Sequence, residues 1–196
     1  MPPNRPLIHS FFSTLRGDQG EKQVKILLEK RGYQCLHNVL IQRTAKKPIQ
    51  IDHLVLTSTG LHILETKHYR GHIQGYMTGK VWHQTFPDNN KPNLLPNAFQ
   101  QNSLHCLVIR EKLTKEEHIP IRGHVIFTGS CSLSGDIASR ITTLDQLYEQ
   151  LGDPEINNRF EHVWNALNEI ADRDNGNLQK LTFQASLLSC KPVKDS

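Results

Sequence analysis

Two acidic residues and a lysine lie on neighbouring apolar segments of the sequence. Asp52 falls within Ile49–Thr57, and Glu65 and Lys67 fall at the end of Leu61–Lys67. Two carboxylates that are brought close together repel each other, and burying both is costly unless a cation neutralises them. Oxygen ligands favour Mg²⁺ or Mn²⁺ over zinc, and a lysine beside such an ion can orient an attacking water or stabilise charge on a phosphate. The three residues therefore predict a metal-dependent hydrolytic site.

A β-hairpin is the element that would bring these residues together. Ser58-Thr59-Gly60 separates the two apolar segments, which is typical of a three-residue loop with glycine at a positive φ. Side chains alternate along a strand, so Glu65 and Lys67 share a face. With this loop Asp52 lies opposite Thr66, and a one-residue change in the loop makes the partner Glu65 or Lys67. Either way the groups lie within roughly 5–8 Å, whereas the face that Asp52 takes stays open because a bulge can alter it.

The alternative is that these residues are ordinary strand-end charges, with Asp52 and Glu65 facing solvent and paired with Lys67. The apolar residues around them, at 51–56 and 61–65, are typical of central strands instead. Unpaired surface charge is unusual in such strands. The sequence therefore favours a buried site.

Hydrophobic periodicity, caps and turn residues predict the remaining elements. A long surface loop over 70–93, anchored by Tyr76 and Trp82, contains one short strand at Val81–Gln84. The helix that follows presents an apolar stripe of Phe99, Leu104, Leu107 and Val108. The other elements are a helix from Asp18, capped by Asp18 with Glu21 and stopped by Gly32, a strand over 33–42, a basic loop at Arg43–Pro48, a helix over Asn97–Leu113, strands within Gly123–Gly129 and at Ile137–Ile141, a helix from Thr143 capped with Gln146, a helix from Asp153-Pro154 to about Ala171, and a strand around Leu181–Phe183.

This order of elements predicts an α/β fold, with a mixed central β-sheet that includes the hairpin and is flanked by helices on both faces. We expect an irregular arm at 1–16, one domain over 17–175 and a tail at 176–196. The 196 residues suffice for one domain with a hydrophobic core, and a net charge of +4 permits an anionic partner without demanding one.

Cysteine spacing and hydropathy suggest the cellular environment. The four cysteines form no CxxC or zinc-like pattern, which favours reduced thiols over a disulfide framework. No apolar stretch has the length of a membrane span, and the first residues lack the pattern of a signal peptide. We therefore expect a cytoplasmic protein without a membrane partner.

Six short motifs, taken in order, resemble those of the NERD (nuclease-related) domain, a family of the PD-(D/E)xK nuclease superfamily. The resemblance covers residues 17–128 and implies a restriction-endonuclease-like fold. One departure is Asn97-Ala98, where the family often has Asn-Pro, and it concerns only how a helix starts. The motifs are Gly20-Glu21, Gln50-Ile51-Asp52-His53, Thr59-Gly60, Glu65-Thr66-Lys67, Tyr69-Arg70-Gly71 and Gln101-Asn102.

The resemblance implies a role for each matching position. Asp52 and Glu65 are expected as metal ligands, Lys67 as the catalytic lysine, Glu21 as a further acidic residue near the metal, and Gln101 as a side chain directed into the site. Glu21 has the alternative role of capping the first helix, and Gln101 the alternative of a surface amide. The implied cofactor is Mg²⁺ or Mn²⁺, with one or two ions left open.

The expected activity is phosphodiester hydrolysis, with DNA as the first choice of substrate and RNA left open. Arg70, Lys80 and Lys91 are candidates to contact a phosphate backbone, the alternative being solvated basic loops. His53, His62 and His68 are expected to be hydrogen-bonded residues rather than metal ligands. Two other functions stay open: a binding module without turnover, and a subunit of a DNA-processing or defence assembly active only with a partner protein. A homodimer that cuts both strands is a further expectation.

Overall fold

The computed structural model describes residues 19–44, 47–113, 118–154 and 158–189. A 3₁₀ helix at Asp136–Ser139 joins two of the strands. In chain order the elements are α1 (19–30), β1 (Gln34–Thr44), β2 (Lys47–Thr57), β3 (Gly60–Lys67), β4 (Gly71–Gln74), β5 (Val81–Phe86), β6 (Asn89–Pro96), α2 (Ala98–Lys112), β7 (Ile121–Phe127), β8 (Cys131–Ser134), β9 (Thr142–Thr143), α3 (Leu147–Leu151) and α4 (Glu161–Ser189).

A five-stranded mixed sheet forms the centre of the fold. Its strand order is β1-β2-β3-β7-β9. The chain runs antiparallel from β1 through β3, and β7 pairs in parallel with both β3 and β9. In β3 every residue before Lys67 is buried, as expected for a strand that is covered on both faces. The predicted hairpin is therefore the centre of the sheet.

Helices cover both faces of this sheet. α1 packs Val24 and Leu28 against one face, and α2 and α4 pack on the opposite face through residues such as Val108 and Val163. Gly32 follows α1 with φ +75°, as predicted for its stop, whereas the cap proposed at Asp18 lies outside the described residues. The predicted fold class is confirmed: an α/β fold with a mixed sheet between helical layers, consistent with a restriction-endonuclease-like fold.

A second, four-stranded sheet has the order β6-β5-β4-β8. It packs Ile73 and Trp82 against Ala98 of α2 and against Val125 and Phe127 of β7. This sheet corrects the prediction of a long surface loop over 70–93, in which only the strand at Val81–Gln84 was right. The many Gly, Asn, Lys and Pro residues of this segment suggested a loop. However, β4 pairs with β8, about 60 residues further along the chain, and this pairing supplies the backbone hydrogen bonds of a strand.

Other boundaries also differ from the predicted ones. Trp82 is fully buried, as predicted for an anchor, but Tyr76 is 54% exposed, so its side chain is not the apolar anchor that was predicted. The loop predicted at Arg43–Pro48 is wrong, because β1 extends to Thr44 and β2 begins at Lys47. The strand predicted at Ile137–Ile141 is wrong as well, since most of that segment is the 3₁₀ helix.

The C-terminal helices begin later than their caps suggested. Gln146 Oε1 accepts the Thr143 N–H at 3.2 Å as proposed, yet Thr143 is the last residue of β9 and α3 starts at Leu147. Pro154 forms an isolated β-bridge with Thr57 instead of starting a helix. α4 begins at Glu161 and runs to Ser189, so the end predicted near Ala171 and the strand predicted around Leu181–Phe183 are wrong.

One buried acidic residue of α4 contacts two other elements of the domain. Asp174 is 2% exposed, and its Oδ2 accepts the Gln42 N–H at 2.9 Å and contacts Lys112 Nζ at 3.3 Å. Gln42 belongs to β1 and Lys112 to α2, so three elements meet at this carboxylate. α4 continues past residue 176, where the tail was predicted to begin. The division into arm, domain and tail stays a prediction. The arm lies outside the described residues.

Two predictions from composition concern cysteines and membranes. Cys35, Cys106 and Cys131 are free thiols, and Cys190 lies outside the described residues. In the part of the chain that the structure describes, no helix combines the length and the apolar character needed to cross a membrane.

Candidate active site

The register of the hairpin shows which residue of β3 lies opposite Asp52. Thr57 pairs with Gly60 and His53 pairs with Leu64. The turn therefore has two residues, Ser58 and Thr59, and the predicted three-residue loop is wrong. Continuing the pairing by one position puts Asp52 opposite Glu65, one of the partners that the sequence allowed.

The three predicted residues lie together in a largely buried cluster. Asp52 is 7% exposed, and its Oδ2 accepts the backbone N–H of Thr66 at 2.7 Å. Glu65 is 1% exposed, and its Oε1 accepts a short hydrogen bond of 2.5 Å from Lys67 Nζ. Neither carboxylate is the surface charge that the alternative interpretation required. The hairpin instead holds the charges inside the fold.

One oxygen of this cluster lacks a hydrogen bond. Glu65 Oε2 is buried and has no hydrogen-bond partner among the described residues. His105 Nδ1 lies 3.4 Å from it, but the two atoms do not form a hydrogen bond, and His105 Nδ1 also lacks a partner within that part of the chain. A buried acceptor without a donor costs roughly 1–3 kcal/mol. The Glu65 carboxylate is therefore only half satisfied by the described part of the protein.

The pKa values of the three residues show that negative charge exceeds positive charge in the cluster. Burial, and next the nearby Asp52 carboxylate, raise the pKa of Glu65 to about 7, although Lys67 opposes the change. Burial also raises the pKa of Asp52, against the Thr66 hydrogen bond and the charge of Lys67. For Lys67, burial acts to lower the pKa, but Glu65 and the other acidic groups outweigh it and the pKa is raised. One cation is therefore shared by two buried acids.

Helix α2 lines the cluster with polar side chains. Gln101 Oε1 accepts a hydrogen bond of 3.4 Å from Lys67 Nζ, so the predicted glutamine does reach the site. Asn102 is buried and donates through Nδ2 to the Ile63 carbonyl at 3.0 Å and to the His124 carbonyl at 2.9 Å. These bonds fix α2 across β3 and β7. They also fix where Gln101 and His105 enter the site.

The apolar stripe predicted for α2 is right for Val108, which is buried, and wrong for Leu107. Leu107 is 56% exposed, and Phe99 and Leu104 are only partly buried. Asn102 and His105 were missed as site residues because a search for apolar residues passes over them. The available signal was their spacing, since they share a helical face with Ala98 and Ile109. The buried residues of α2 are Ala98, Asn102, His105, Val108 and Ile109.

Glu21 approaches the cluster from the other face of the sheet. It is partly buried on α1, and its charge contributes to raising the pKa of Glu65. A side chain at Gly20 would clash there, because its Cβ would lie 2.6 Å from Thr128 Oγ1 and 3.0 Å from His68 Cβ. Within residues 19–44, 47–113, 118–154 and 158–189, no three His, Cys, Asp or Glu side chains converge closely enough to hold a metal ion. Glu21 as a ligand stays a prediction.

The candidate phosphate contacts lie outside the cluster. Arg70, Lys80 and Lys91 are exposed, and no hydrogen bond or ion pair is found between them and Asp52, Glu65 or Lys67. Arg70 precedes β4, Lys80 precedes β5, and Lys91 lies in β6. A role in binding nucleic acid stays a prediction for all three.

The histidines of the hairpin are hydrogen-bonded, as expected. His53 Nδ1 lies 2.8 Å from His37 Nδ1, and His62 Nε2 lies 3.1 Å from Thr57 Oγ1. His68 Nδ1 lies 3.0 Å from Thr128 Oγ1. Each ring therefore uses a nitrogen in a contact within the protein.

A match to a known family agrees with the sequence motifs. The family model of the nuclease-related domain (NERD) matches residues 16–128, a segment that contains the hairpin and the whole of β7. The chain therefore belongs to the NERD family, which indicates a nuclease-related function. An uncharacterized protein of Bacillus anthracis is 30% identical over 185 residues, a match that covers 88% of this chain and 85% of that protein.

A solved structure also matches, at a lower level of similarity. It is a crystal structure of a protein of unknown function, with a TM-score of 0.38 and 14% sequence identity. The match covers 71% of this chain, and this chain spans 56% of that protein's length.

Proposed function

We propose that this protein is a divalent-metal-dependent nuclease that hydrolyses phosphodiester bonds at Asp52, Glu65 and Lys67, with DNA as its substrate. The observation that carries the proposal is the cluster itself. Two buried carboxylates share a single lysine, and Glu65 Oε2 has no hydrogen-bond partner among the described residues. Membership of a nuclease-related family supports the same class of reaction.

The donor chemistry of Asp52 and Glu65 suits a divalent cation. The donor atoms are carboxylate oxygens, which suit Mg²⁺ or Mn²⁺. The mutual repulsion that contributes to the raised pKa of Glu65 is what a bound cation would relieve. Asp52 and Glu65 would hold the ion, with Glu21 as a further candidate ligand from α1. When bound, the ion would supply an acidified water and would polarise the phosphate.

The chain's own residues then perform the remaining tasks. Thr66 N–H holds the Asp52 carboxylate in one orientation, and Lys67 holds Glu65 in another. The Lys67 ammonium group would orient the attacking water or stabilise negative charge on the phosphate. Gln101 accepts from Lys67 and restricts where Nζ can lie. The largely buried cluster keeps bulk water from these interactions and strengthens them.

A cleavage assay with defined metals tests the proposal. Purified full-length protein is incubated with supercoiled plasmid and with end-labelled linear DNA in Mg²⁺, Mn²⁺, Ca²⁺ or EDTA. We expect cleavage in Mg²⁺ or Mn²⁺, none in EDTA, and loss of cleavage in Glu65→Gln. Glu161, which is exposed on α4, offers a matched control, and Glu161→Gln should cleave as the unaltered protein does.

Two outcomes would contradict the proposal. Cleavage that persists in Glu65→Gln would place the chemistry elsewhere. DNA binding that is insensitive to EDTA, with no cleavage in any metal, would indicate a binding module instead. If cleavage appears only after a partner protein is added, the same Glu65→Gln variant tests whether this chain supplies the active residues.

A further inference from the structure

We infer that a second site on this protein, a cleft on the far flank of α2, binds the phosphate backbone of a single nucleic-acid strand. The inference rests on the proposed nuclease function and names the form of substrate that the protein holds. The cleft has a volume of about 1040 Å³. It lies between α2, the start of β7, the β8–β9 segment and α3, and Asp52, Glu65, Lys67 and Gln101 do not line it.

The charge of the cleft is the first observation that points to a ligand. Arg110, Arg122 and Arg140 line it, and the described lining includes no aspartate or glutamate. The chain as a whole is nearly balanced, with 23 basic and 19 acidic residues, whereas the charged residues of the described lining are all basic. Focused positive charge raises the local concentration of an anionic ligand. Arginine is also suited to bidentate contact with phosphate.

The three guanidinium groups are available for such contact. All three arginines are exposed, and none forms a salt bridge with a carboxylate in the described part of the chain. Arg122 donates through Nη1 to the Thr59 carbonyl at 2.8 Å, which fixes its position beside the hairpin turn. Its remaining N–H groups are not used in that bond. The cleft thus has three arginines without a carboxylate partner in the described part of the chain, and one of them, Arg122, is held in position by Thr59.

The placement of the cleft relates it to the carboxylate cluster. Lining residues on α2 run from Phe99 to Arg110, a distance of roughly 16 Å at the helical rise. Glu65 and Lys67 pair with Val125 and Phe127, whereas the cleft reaches Arg122, Gly123 and His124 on the same strand. At about 3.3 Å per residue the two sites lie roughly 10 Å apart along β7. A strand bound in the cleft would therefore approach the scissile position.

The uncharged lining favours a single strand over a duplex. Phe99, Leu133 and Met77 form part of the wall, and Gln146 and Gln150 add amide groups. A duplex keeps its bases stacked inside and presents mainly phosphates, so an apolar wall would have no partner. An unpaired strand can place base faces on apolar and aromatic side chains while arginines follow its phosphates.

Binding can be measured separately from cleavage. Full-length protein is titrated in EDTA against a fluorescein-labelled 20-nucleotide oligo(dT), with anisotropy as the readout and with the salt concentration varied. The test variant is Arg110→Gln/Arg122→Gln/Arg140→Gln. The charge-matched control is Lys25→Gln/Lys30→Gln/Arg43→Gln, which removes three exposed cations on α1 and β1.

We expect the test variant to bind about tenfold more weakly or worse. The plot of log K against log salt has a negative slope, and its magnitude should decrease by about 2 because three phosphate contacts to a single strand are lost. The control variant should keep the slope of the unaltered protein. Arg110→Gln/Arg140→Gln, which retains the Arg122 bond to Thr59, should lower the slope by about 1.4. This second variant keeps the test decisive if the triple substitution destabilises the fold.

Three results would overturn the inference. One is unchanged affinity and slope in both arginine variants. The second is an equal loss in the charge-matched control. The third is duplex DNA binding as tightly as oligo(dT) and losing affinity equally in the variants, which would exclude the single strand as the preferred ligand. If the slope falls as expected but no metal supports cleavage, the cleft is upheld and the proposed nuclease function is not.

Discussion

Strand β3 has two buried polar clusters, one towards each end of its pairing with β7, and they differ in how their polar atoms are satisfied. At one end His62 Nδ1 lies 2.8 Å from His124 Nε2, the two rings stack with centroids 5.0 Å apart, and Thr57 contacts the other nitrogen of His62. At the other end Glu65 forms an ion pair with Lys67 through one oxygen, while its second oxygen accepts no hydrogen bond from the described residues.

The two clusters also differ in charge. Burial, and next the neighbouring histidine, lower the pKa of His62 to about 3, and burial lowers that of His124 to about 4. Both rings are therefore neutral at pH 7 and add no buried charge. Burial raises the pKa of Glu65 to about 7, so near neutral pH that site alternates between a proton and a negative charge. A polar cluster that satisfies its own atoms supports the fold, whereas one that lacks a positive charge is suited to bind a cation.

The largest expected effect comes from changing the lysine of the charged cluster. Lys67→Met keeps most of the side-chain volume and removes the ammonium group, so we expect cleavage to fall by about 10²–10³-fold, the usual result of losing one such stabilising group. Plasmid cleavage rates in Mg²⁺ measure the change. Lys30→Met, at an exposed position on α1, is the matched control. Equal activity in the two variants would remove the distinction between the clusters.

Metal affinity should depend on pH at the charged cluster. Because the pKa of Glu65 is about 7, the carboxyl group holds its proton at pH 6 and must release it before binding a cation. We expect the apparent Mn²⁺ affinity to fall by about tenfold between pH 8 and pH 6, as the linkage of proton and metal requires. Isothermal titration calorimetry at the two pH values measures it. Constant affinity would mean that Glu65 is not a ligand.

The neutral cluster should respond in stability rather than in activity. His62→Leu removes the partner of His124 and one partner of Thr57, and leaving such groups unsatisfied costs about 1–3 kcal/mol. Urea denaturation followed by circular dichroism measures the change in free energy of unfolding. The folded variant should cleave DNA at nearly the normal rate. A variant of normal stability with no cleavage would show that this cluster takes part in the chemistry.

The smallest effect is expected far from both clusters. Lys91 is exposed on β6, and a single exposed phosphate contact changes the salt dependence of single-strand binding by about 0.7. Lys91→Ala should therefore lower the oligo(dT) slope by no more than that amount, less than the loss expected from the arginine-lined cleft. A decrease in the magnitude of this slope as large as the one expected for the three arginines would indicate that the binding surface lies on the four-stranded sheet.

The carboxylate cluster could be predicted because its determinants are local. Alternating apolar residues and a turn place Asp52 near Glu65 whatever the loop length, so the proximity held although the loop was one residue too long. The family motifs also placed Gln101 near Lys67. In contrast, His105 and Asn102 lie on the buried face of α2 although they are polar, so their helical spacing with Ala98 and Ile109 was the one local signal for them.

The second sheet could not be predicted for a related reason. β4 and β8 are short, four-residue strands rich in polar and small residues, and each is stabilised as a strand by a partner distant in sequence. Local propensity describes what a segment prefers alone, and tertiary pairing overrides it here. α4 shows a similar limit, since Asp153-Pro154 has the pattern of a helix start but Pro154 bridges to Thr57.

A larger residue at Gly20 would disturb more than the first turn of α1. A single added methyl group there would meet Thr128 Oγ1 at 2.6 Å, so an alanine would force the helix start to move away from the loop after β7. Glu21 is the next residue and would be displaced with it. Active sites lose efficiency when their groups shift by more than about 0.5 Å. The small size of Gly20 therefore keeps Glu21 in the position from which it approaches the carboxylate pair.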